Sequence, residues 1–153
     1  MEKLKVVIAD DMQVIAENNK RIATLFDNIE VVGIANNGQE EYDMIMELKP
    51  DLVITDNQMP LMNGLDVIEK IVNSSISNKP QFILVTGDTG EVVRKAYNLG
   101  VLRVVSKMSS ERELKYAIEE YLYLQNTNES DIIKKQQEKS EGFFEKLAKR
   151  LKG

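Results

Sequence analysis

The sequence predicts a doubly wound α/β fold, in which helices cover both faces of a parallel β-sheet. Short β-rich segments alternate with segments whose apolar residues recur at helical spacing. The apolar content of the β-rich segments is nearly continuous, which is typical of strands buried on both faces. Five repeats of strand then helix indicate a parallel sheet with crossover helices.

The boundaries follow from glycine, proline and polar residues that separate the periodic segments. The predicted strands are 4–9, 31–35, 52–55, 82–86 and 102–106, and the predicted helices are 12–26, 38–48, 65–73, 90–99 and 110–124. The polar segment "QNTNES" (125–130) breaks the pattern. We therefore predict a folded domain over 1–125, followed over 126–153 by a linker and a charged helical tail at 131–151.

Composition limits the chemistry that the chain can perform. The 153 residues are 42% hydrophobic, which is enough for one core. Cysteine and histidine are both absent, which excludes disulfides, zinc sites and nucleophiles of either type. Any bound metal must therefore have oxygen ligands. No apolar run is long enough for a membrane span or a signal peptide, so we expect a cytoplasmic protein.

Charge is distributed unevenly along the chain. The net charge is −5, but residues 134–153 carry seven Lys/Arg and three Glu, which is +4. The rest of the chain holds 13 Lys/Arg and 22 Asp/Glu, which is −9. An acidic body of this kind argues against nucleic-acid binding.

Polar residues follow four of the predicted strands at their carboxyl ends. Asp10 and Asp11 follow the first strand, Asp56 follows the third, Thr86 closes the fourth and Lys107 follows the fifth. In a parallel sheet these ends share one edge, and open α/β sheets bind ligands there. The five side chains are therefore a candidate site.

The residue types indicate phosphoryl chemistry with a metal ion. Three converging carboxylates would repel one another unless a cation intervenes, and Mg²⁺ suits carboxylates, water and phosphate oxygens. Lys107 and the Thr86 hydroxyl could supply a charge and a hydrogen bond to a tetrahedral anion. An aspartate carboxylate can act as the nucleophile and form an aspartyl phosphate.

Four stretches together resemble the receiver (CheY-like) domain of bacterial two-component response regulators. They are "KVVIADD", "NNGQEEYDMIMELKPDLVITDNQMPLMNGLDVIEKI", "KPQFILVTG" and "NLGVLRVVSK", and they span about residues 4 to 124. The resemblance implies a flavodoxin-like sheet with strand order 2-1-3-4-5. It also implies a phosphorylation switch in a two-component signalling pathway.

The resemblance assigns a role to each site residue. Asp56 would be the phosphoacceptor. Asp10, Asp11 and Asp56 would bind Mg²⁺, with the backbone carbonyl of Gln58 as a further ligand. Thr86 and Lys107 would contact the phosphoryl group. Because the chain has no histidine, the donor must be a sensor histidine kinase or phosphotransfer protein acting in trans, or a small acyl phosphate.

The chain departs from the family pattern at three positions. Met108 follows the lysine where the family usually has proline, Val104 replaces the usual switch aromatic, and Gly87 follows the threonine where alanine is common. Asp88 and Gln58 would lie beside the attacking water, and our hypothesis is that they tune the lifetime of the aspartyl phosphate.

Two other functions compete with the switch. One is a phosphorylation-independent interaction module on the same fold, which Val104 and Met108 favour and the intact acids oppose. The other is a phosphate-ester hydrolase with an aspartate nucleophile. Such enzymes usually have a second acid two residues later, and this chain has Gln58 there.

The tail is predicted to be a basic amphipathic helix. Its apolar residues gather on one arc, and most of its lysines lie elsewhere: Ile133, Phe143, Phe144, Leu147 and Leu151 form the arc. Such a helix can occupy a partner groove, dock on its own domain, lie on a membrane surface or be only a solvated extension, and the membrane surface is least favoured. The output partner is left open, and a homodimer is one option.

Overall fold

The computed structural model describes residues 2–109, 111–127 and 129–152, with side chains for all of these except 129–136 and 152. The elements in chain order are β1 (Leu4–Ala9), α1 (Gln13–Ala23), β2 (Ile29–Ala35), α2 (Gly38–Leu48), β3 (Leu52–Thr55), α3 (Gly64–Val72), β4 (Gln81–Thr86), α4 (Glu91–Asn98), β5 (Arg103–Ser106), α5 (Glu111–Asn126) and α6 (Glu129–Lys152). Ser110, the first residue of one predicted helix, lies outside the described residues.

The strands form one parallel sheet in the order β2-β1-β3-β4-β5. Each strand begins and ends within two residues of its predicted bounds. The strand order reverses between β1 and β3, because β2 lies on one side of β1 and the later strands lie on the other. The doubly wound fold and its strand order are therefore confirmed.

The sheet is buried on both faces, as the continuous apolar strands predict. All four residues of β3 are buried, and so are the last four of β1. Val7, Val53 and Leu84 belong to a core cluster that also contains Ile45 of α2 and Ile68 of α3. Alternate strand residues are buried as well, so helices must cover both faces of the sheet.

The loop after β3 depends on a close backbone approach at Gly64. A Cβ atom at this position would lie 2.1 Å from the carbonyl oxygen of Asp56. The Gly64 N–H donates to the carbonyl oxygen of Asn57 at 2.8 Å, and the Asn63 side chain caps α3 by accepting from Asp66 N–H at 2.8 Å. Glycine therefore lets α3 begin directly against the end of β3.

Contacts divide the chain into two compact units, the first ending at Ile118 and the second beginning at Glu119. The first unit contains the sheet. The second contains the end of α5 and the tail helix α6. The predicted boundary at residue 125 stays a prediction, and the side chain of Ile133 lies outside the described part. No described helix has both the length and the apolar character that crossing a bilayer requires.

One acidic side chain, Glu41 of α2, is fully buried against β3. Its Oε2 forms a hydrogen bond of 2.9 Å with the Thr55 hydroxyl, and its Oε1 has no hydrogen-bond partner among the residues that the structure describes. Burial raises the pKa of Glu41 from 4.5 to about 8; the Thr55 hydrogen bond opposes the shift and the Asp56 charge adds to it. Glu41 is therefore protonated at neutral pH.

The raised pKa predicts that stability falls as the pH rises from about 4.5 to about 8. In this window the folded chain keeps the Glu41 proton and the unfolded chain loses it, so unfolding releases a proton. The expected slope from this group approaches about 1.4 kcal/mol per pH unit. Urea unfolding of Glu41→Gln should lose this part of the pH dependence, because glutamine keeps the shape without titrating.

The matched control is Glu47→Gln, at an exposed glutamate of the same helix. This variant should keep the wild-type slope between about pH 5 and pH 8. A Glu41→Gln protein with the same slope as wild type would contradict a buried, neutral Glu41.

Candidate functional site

Backbone hydrogen bonds at the carboxyl ends of the strands place the site residues at that edge of the sheet. Asp10 N–H donates to Ala35 O at 3.1 Å, Asp56 N–H donates to Ala9 O at 3.0 Å, and Lys107 N–H donates to Thr86 O at 3.0 Å. The parallel register thus continues one residue beyond three strands. It fixes the backbones of residues that are far apart in the chain.

Three carboxylates converge at this edge. Oxygen atoms of Asp10, Asp11 and Asp56 all lie within 4.8 Å of one another. Asp10 and Asp56 are buried, and Asp11 is exposed. Backbone N–H groups hold the two buried carboxylates: Met12 donates to Asp10 Oδ1 at 2.9 Å, and Asn57 donates to Asp56 Oδ1 at 2.7 Å.

Lys107 lies between the two buried carboxylates. Its Nζ atom is 2.9 Å from Asp56 Oδ2, which is a hydrogen bond, and 3.1 Å from Asp10 Oδ2. The second contact is an ion pair, and Asp10 Oδ2 is a buried oxygen with no hydrogen-bond partner among the described residues. One side chain therefore provides the positive charge for two acids.

Burial and the contacts of Lys107 together explain the pKa shifts of Asp56 and Lys107. Burial raises the pKa of Asp56, the hydrogen bond from Lys107 opposes the shift, and the charge of Asp10 adds to it. Burial acts to lower the pKa of Lys107, but its contacts with Asp56 and Asp10 outweigh burial and raise it. The lysine is stabilised as a cation while negative charge stays in excess around it.

The donor set fits a hard divalent cation. Three carboxylates face one lysine, Asp10 Oδ2 has no hydrogen-bond donor in the described part of the chain, and Asp11 is exposed to solvent. Mg²⁺ binds carboxylate oxygens while it keeps several waters, and an acidic pocket with one exposed side meets both needs.

A second cluster joins the loops after β3 and β4. The Asp88 carboxylate accepts three side-chain hydrogen bonds of 2.9 Å, from the Thr86 hydroxyl and from the amides of Asn57 and Gln58. The Asn57 bond is the largest of the effects that hold the pKa of Asp88 below its ordinary value; the Thr86 and Gln58 bonds and the Lys107 charge add to it. Asp88 is therefore a strong acceptor.

Sequence reasoning missed Asn57 as part of this arrangement. It is buried, its amide oxygen accepts from Leu65 N–H at 3.1 Å, and its amide nitrogen donates to Asp88. Its place between Asp56 and Gln58 marked it only as a loop residue. The signal was its polarity directly after a buried strand, where a side-chain amide can satisfy loop backbone groups.

Glu41 was also missed, although its position carried a signal. It lies four residues before Ile45 on the apolar face of α2, where a carboxyl group has to be buried. The Thr55 hydroxyl contacts both Glu41 Oε2 and the carbonyl oxygen of Asp56, each at 2.9 Å. Glu41 is therefore connected to the backbone of Asp56 through the Thr55 hydroxyl.

The structure places the other singled-out residues as follows. Thr86 is buried at the end of β4, and its hydroxyl donates to Asp88. The Gln58 side chain donates a hydrogen bond to Asp88. The predicted contact between the Gln58 backbone carbonyl and a metal stays a prediction. The peptide bond between Lys107 and Met108 is trans. Val104 N–H donates to the Tyr97 hydroxyl of α4 at 3.0 Å.

Comparison with known sequences gives one family for this chain. Residues 6–119 match the response regulator receiver domain. The chain is 32% identical over 114 residues to a protein-glutamate methylesterase/protein-glutamine glutaminase of Syntrophomonas wolfei, covering 74% of this chain and 32% of that protein. It is also 32% identical over 120 residues to the uncharacterized transcriptional regulatory protein YesN of Bacillus subtilis, covering 77% of this chain and 32% of YesN. The chain thus spans about a third of these relatives.

Solved structures agree with this assignment. The signal receiver domain of the response regulator NarL from Mycobacterium tuberculosis matches with a TM-score of 0.70 and 26% identity, over 78% of this chain and 96% of that domain. The response regulator domain of CheB from Thermotoga maritima has the same fold, with a TM-score of 0.71 and 22% identity, over 83% of this chain and 99% of that domain. Receiver domains generally bind Mg²⁺ at an acidic pocket, and this chain has such a cluster. The chain belongs to the response regulator receiver domain family.

Proposed function

We propose that this receiver domain is a phosphorylation switch in which Asp56 accepts a phosphoryl group. The single observation that supports this most is the position of Lys107, with its Nζ atom 2.9 Å from Asp56 and 3.1 Å from Asp10. A cation at that distance can neutralise charge that a phosphoryl group brings to Asp56. The proposed donor is a sensor histidine kinase or a phosphotransfer protein, in a cytoplasmic two-component pathway.

The transfer would be a displacement at phosphorus. A carboxylate oxygen of Asp56 attacks the phosphorus atom, and the bond to the donor's imidazole nitrogen breaks with its electron pair left on that nitrogen. Lys107 and the Thr86 hydroxyl would interact with the phosphoryl oxygens. Water later attacks the phosphorus atom of the aspartyl phosphate, the bond to the Asp56 oxygen breaks with its electron pair left on the carboxylate, and inorganic phosphate is released. The domain would thus catalyse its own phosphorylation and its own slow dephosphorylation.

Asp10, Asp11 and Asp56 would hold Mg²⁺, together with the backbone carbonyl of Gln58. Two observations support this assignment: the three carboxylates converge, and Asp10 Oδ2 accepts no hydrogen bond from the described residues. The metal would supply charge stabilisation for phosphoryl oxygens. Lys107, which contacts both buried acids, would be the second cation of the site.

The output partner of the switch is also a proposal. The last strand and the helices around it are one surface for it, and α6 offers another. Phe143, Phe144, Leu147 and Leu151 of α6 are all exposed, and the two phenylalanine rings pack edge to face with centroids 5.7 Å apart. An apolar stripe of this kind suits a protein partner, which includes a second copy of the chain.

Phosphorylation of Asp56 can be tested with acetyl phosphate and Mg²⁺. We expect the intact protein to gain the mass of one phosphoryl group, and Asp56→Asn to gain none, because an amide cannot act as the nucleophile. Asp51→Asn is the matched control, since Asp51 lies just before β3 and Asp56 just after it. Equal labelling of Asp56→Asn and wild type would contradict the proposal and favour a phosphorylation-independent module.

Metal binding can be tested by calorimetry with Mg²⁺. Wild type should bind one ion, and Asp11→Asn should bind it at least about tenfold more weakly, because one charged ligand is lost. Asp11 is exposed, so its substitution should leave the fold intact. Asp27→Asn, at another exposed aspartate, should bind like wild type. If Asp11→Asn retained wild-type affinity, the assignment of Asp11 would be wrong.

Output can be tested by affinity capture with four baits. These are the full chain with and without beryllofluoride, a chain ending at Gln125 with beryllofluoride, and Asp56→Asn treated in the same way. We expect at least one protein to bind only the beryllofluoride-treated wild type, because the phosphoryl mimic shifts the domain toward its active state. Identical bound proteins on all baits would argue against phosphorylation-controlled output. Loss of binding on truncation would assign the contact to the tail.

A further inference from the structure

The Thr86 hydroxyl is already occupied in this structure. It donates to Asp88 Oδ2 at 2.9 Å, and its oxygen accepts from Asp88 N–H at 3.1 Å. A hydroxyl group has one proton to donate. Thr86 therefore cannot keep its bond to Asp88 and also donate to a phosphoryl group on Asp56.

Asp88 accepts hydrogen bonds from two further residues besides Thr86. Its carboxylate accepts from the amides of Asn57 and Gln58, which belong to the loop after β3. Asn57 is anchored in turn, because its amide oxygen accepts from Leu65 N–H and its carbonyl accepts from Gly64 N–H. Asp88 thus ties the loop before α4 to the rigid start of α3.

We propose that Asp88 is a positioning residue that competes with the phosphoryl group for the hydroxyl proton of Thr86. This inference rests on the proposed phosphorylation of Asp56. When the Thr86 hydroxyl donates to the phosphoryl group instead, Asp88 loses one of its three side-chain donors, and the loop between β4 and α4 is held less firmly. The exchange links the state of Asp56 to the loop that precedes α4.

A link of this kind does not need the usual switch aromatic at position 104, which is valine in this chain. The valine side chain cannot donate or accept a hydrogen bond, whereas its backbone N–H is held by the Tyr97 hydroxyl of α4. Tyr97 thus connects α4 to the edge strand β5.

The competition predicts that removing Asp88 strengthens the active state. In the presence of Mg²⁺, Asp88→Ala should bind beryllofluoride about five- to tenfold more tightly than wild type, because Thr86 no longer has to give up a charge-assisted hydrogen bond. Binding is measured by calorimetry on the full chain. Circular dichroism confirms that each variant is folded. Asp88→Asn, which keeps an acceptor oxygen for Thr86, should lie between wild type and Asp88→Ala.

Charge alone could also raise the affinity for an anion, and a double-mutant cycle separates the two causes. In a Thr86→Val background there is no hydroxyl to release, so Asp88→Ala should give little or no further gain. Glu91→Ala removes an exposed negative charge from the first turn of α4 and should bind like wild type.

The outcomes distinguish this inference from the proposed function. If wild type itself binds no beryllofluoride, the phosphorylation switch fails and the competition fails with it. If wild type binds but a folded Asp88→Ala shows no gain, only the role of Asp88 is overturned. That role is also overturned if the gain is equally large in the Thr86→Val background, since charge would then account for it.

Discussion

The site depends on one lysine that serves two buried carboxylates. Asp10 and Asp56 are brought together by neighbouring strands, and burial would make two unpaired negative charges very costly. Lys107 reaches both from a third strand end and reduces that cost without cancelling it. The excess of negative charge that remains, together with exposed Asp11, makes the edge suited to a divalent cation and then to a phosphoryl group.

Two other carboxyl groups near this edge, Glu41 and Asp88, have pKa values shifted in opposite directions by their surroundings. Glu41 is buried beneath β3, and burial raises its pKa to about 8, so it is a neutral hydrogen-bonding group. The pKa of Asp88 is lowered by three side-chain donors, so it stays charged and organises two loops. The first supports the backbone of Asp56, and the second holds Thr86. Both contact residues at the carboxyl edge of the sheet without belonging to its cluster of three carboxylates.

Much of the fold could be predicted because it rests on repeating patterns. Continuous apolar strands, helical periodicity and the glycine and proline residues between them give the order and bounds of the elements. The site could be predicted nearly as well, because residues that follow parallel strands must meet at one edge. Asn57 and Glu41 escaped prediction because their importance comes from contacts with residues eight to 31 positions away. No local pattern specifies such contacts.

The sequence by itself therefore determined the strand order through its family pattern, the candidate acids, and the threonine and lysine that accompany them. It also determined the absence of any histidine that could donate a phosphoryl group within the chain. Only the tertiary structure decided that Lys107 lies between two acids, that Asp88 occupies the Thr86 hydroxyl, and that Glu41 is buried under Asp56. The physical reason is that hydrogen bonds and desolvation depend on distances of a few ångströms between separate elements, which packing alone sets.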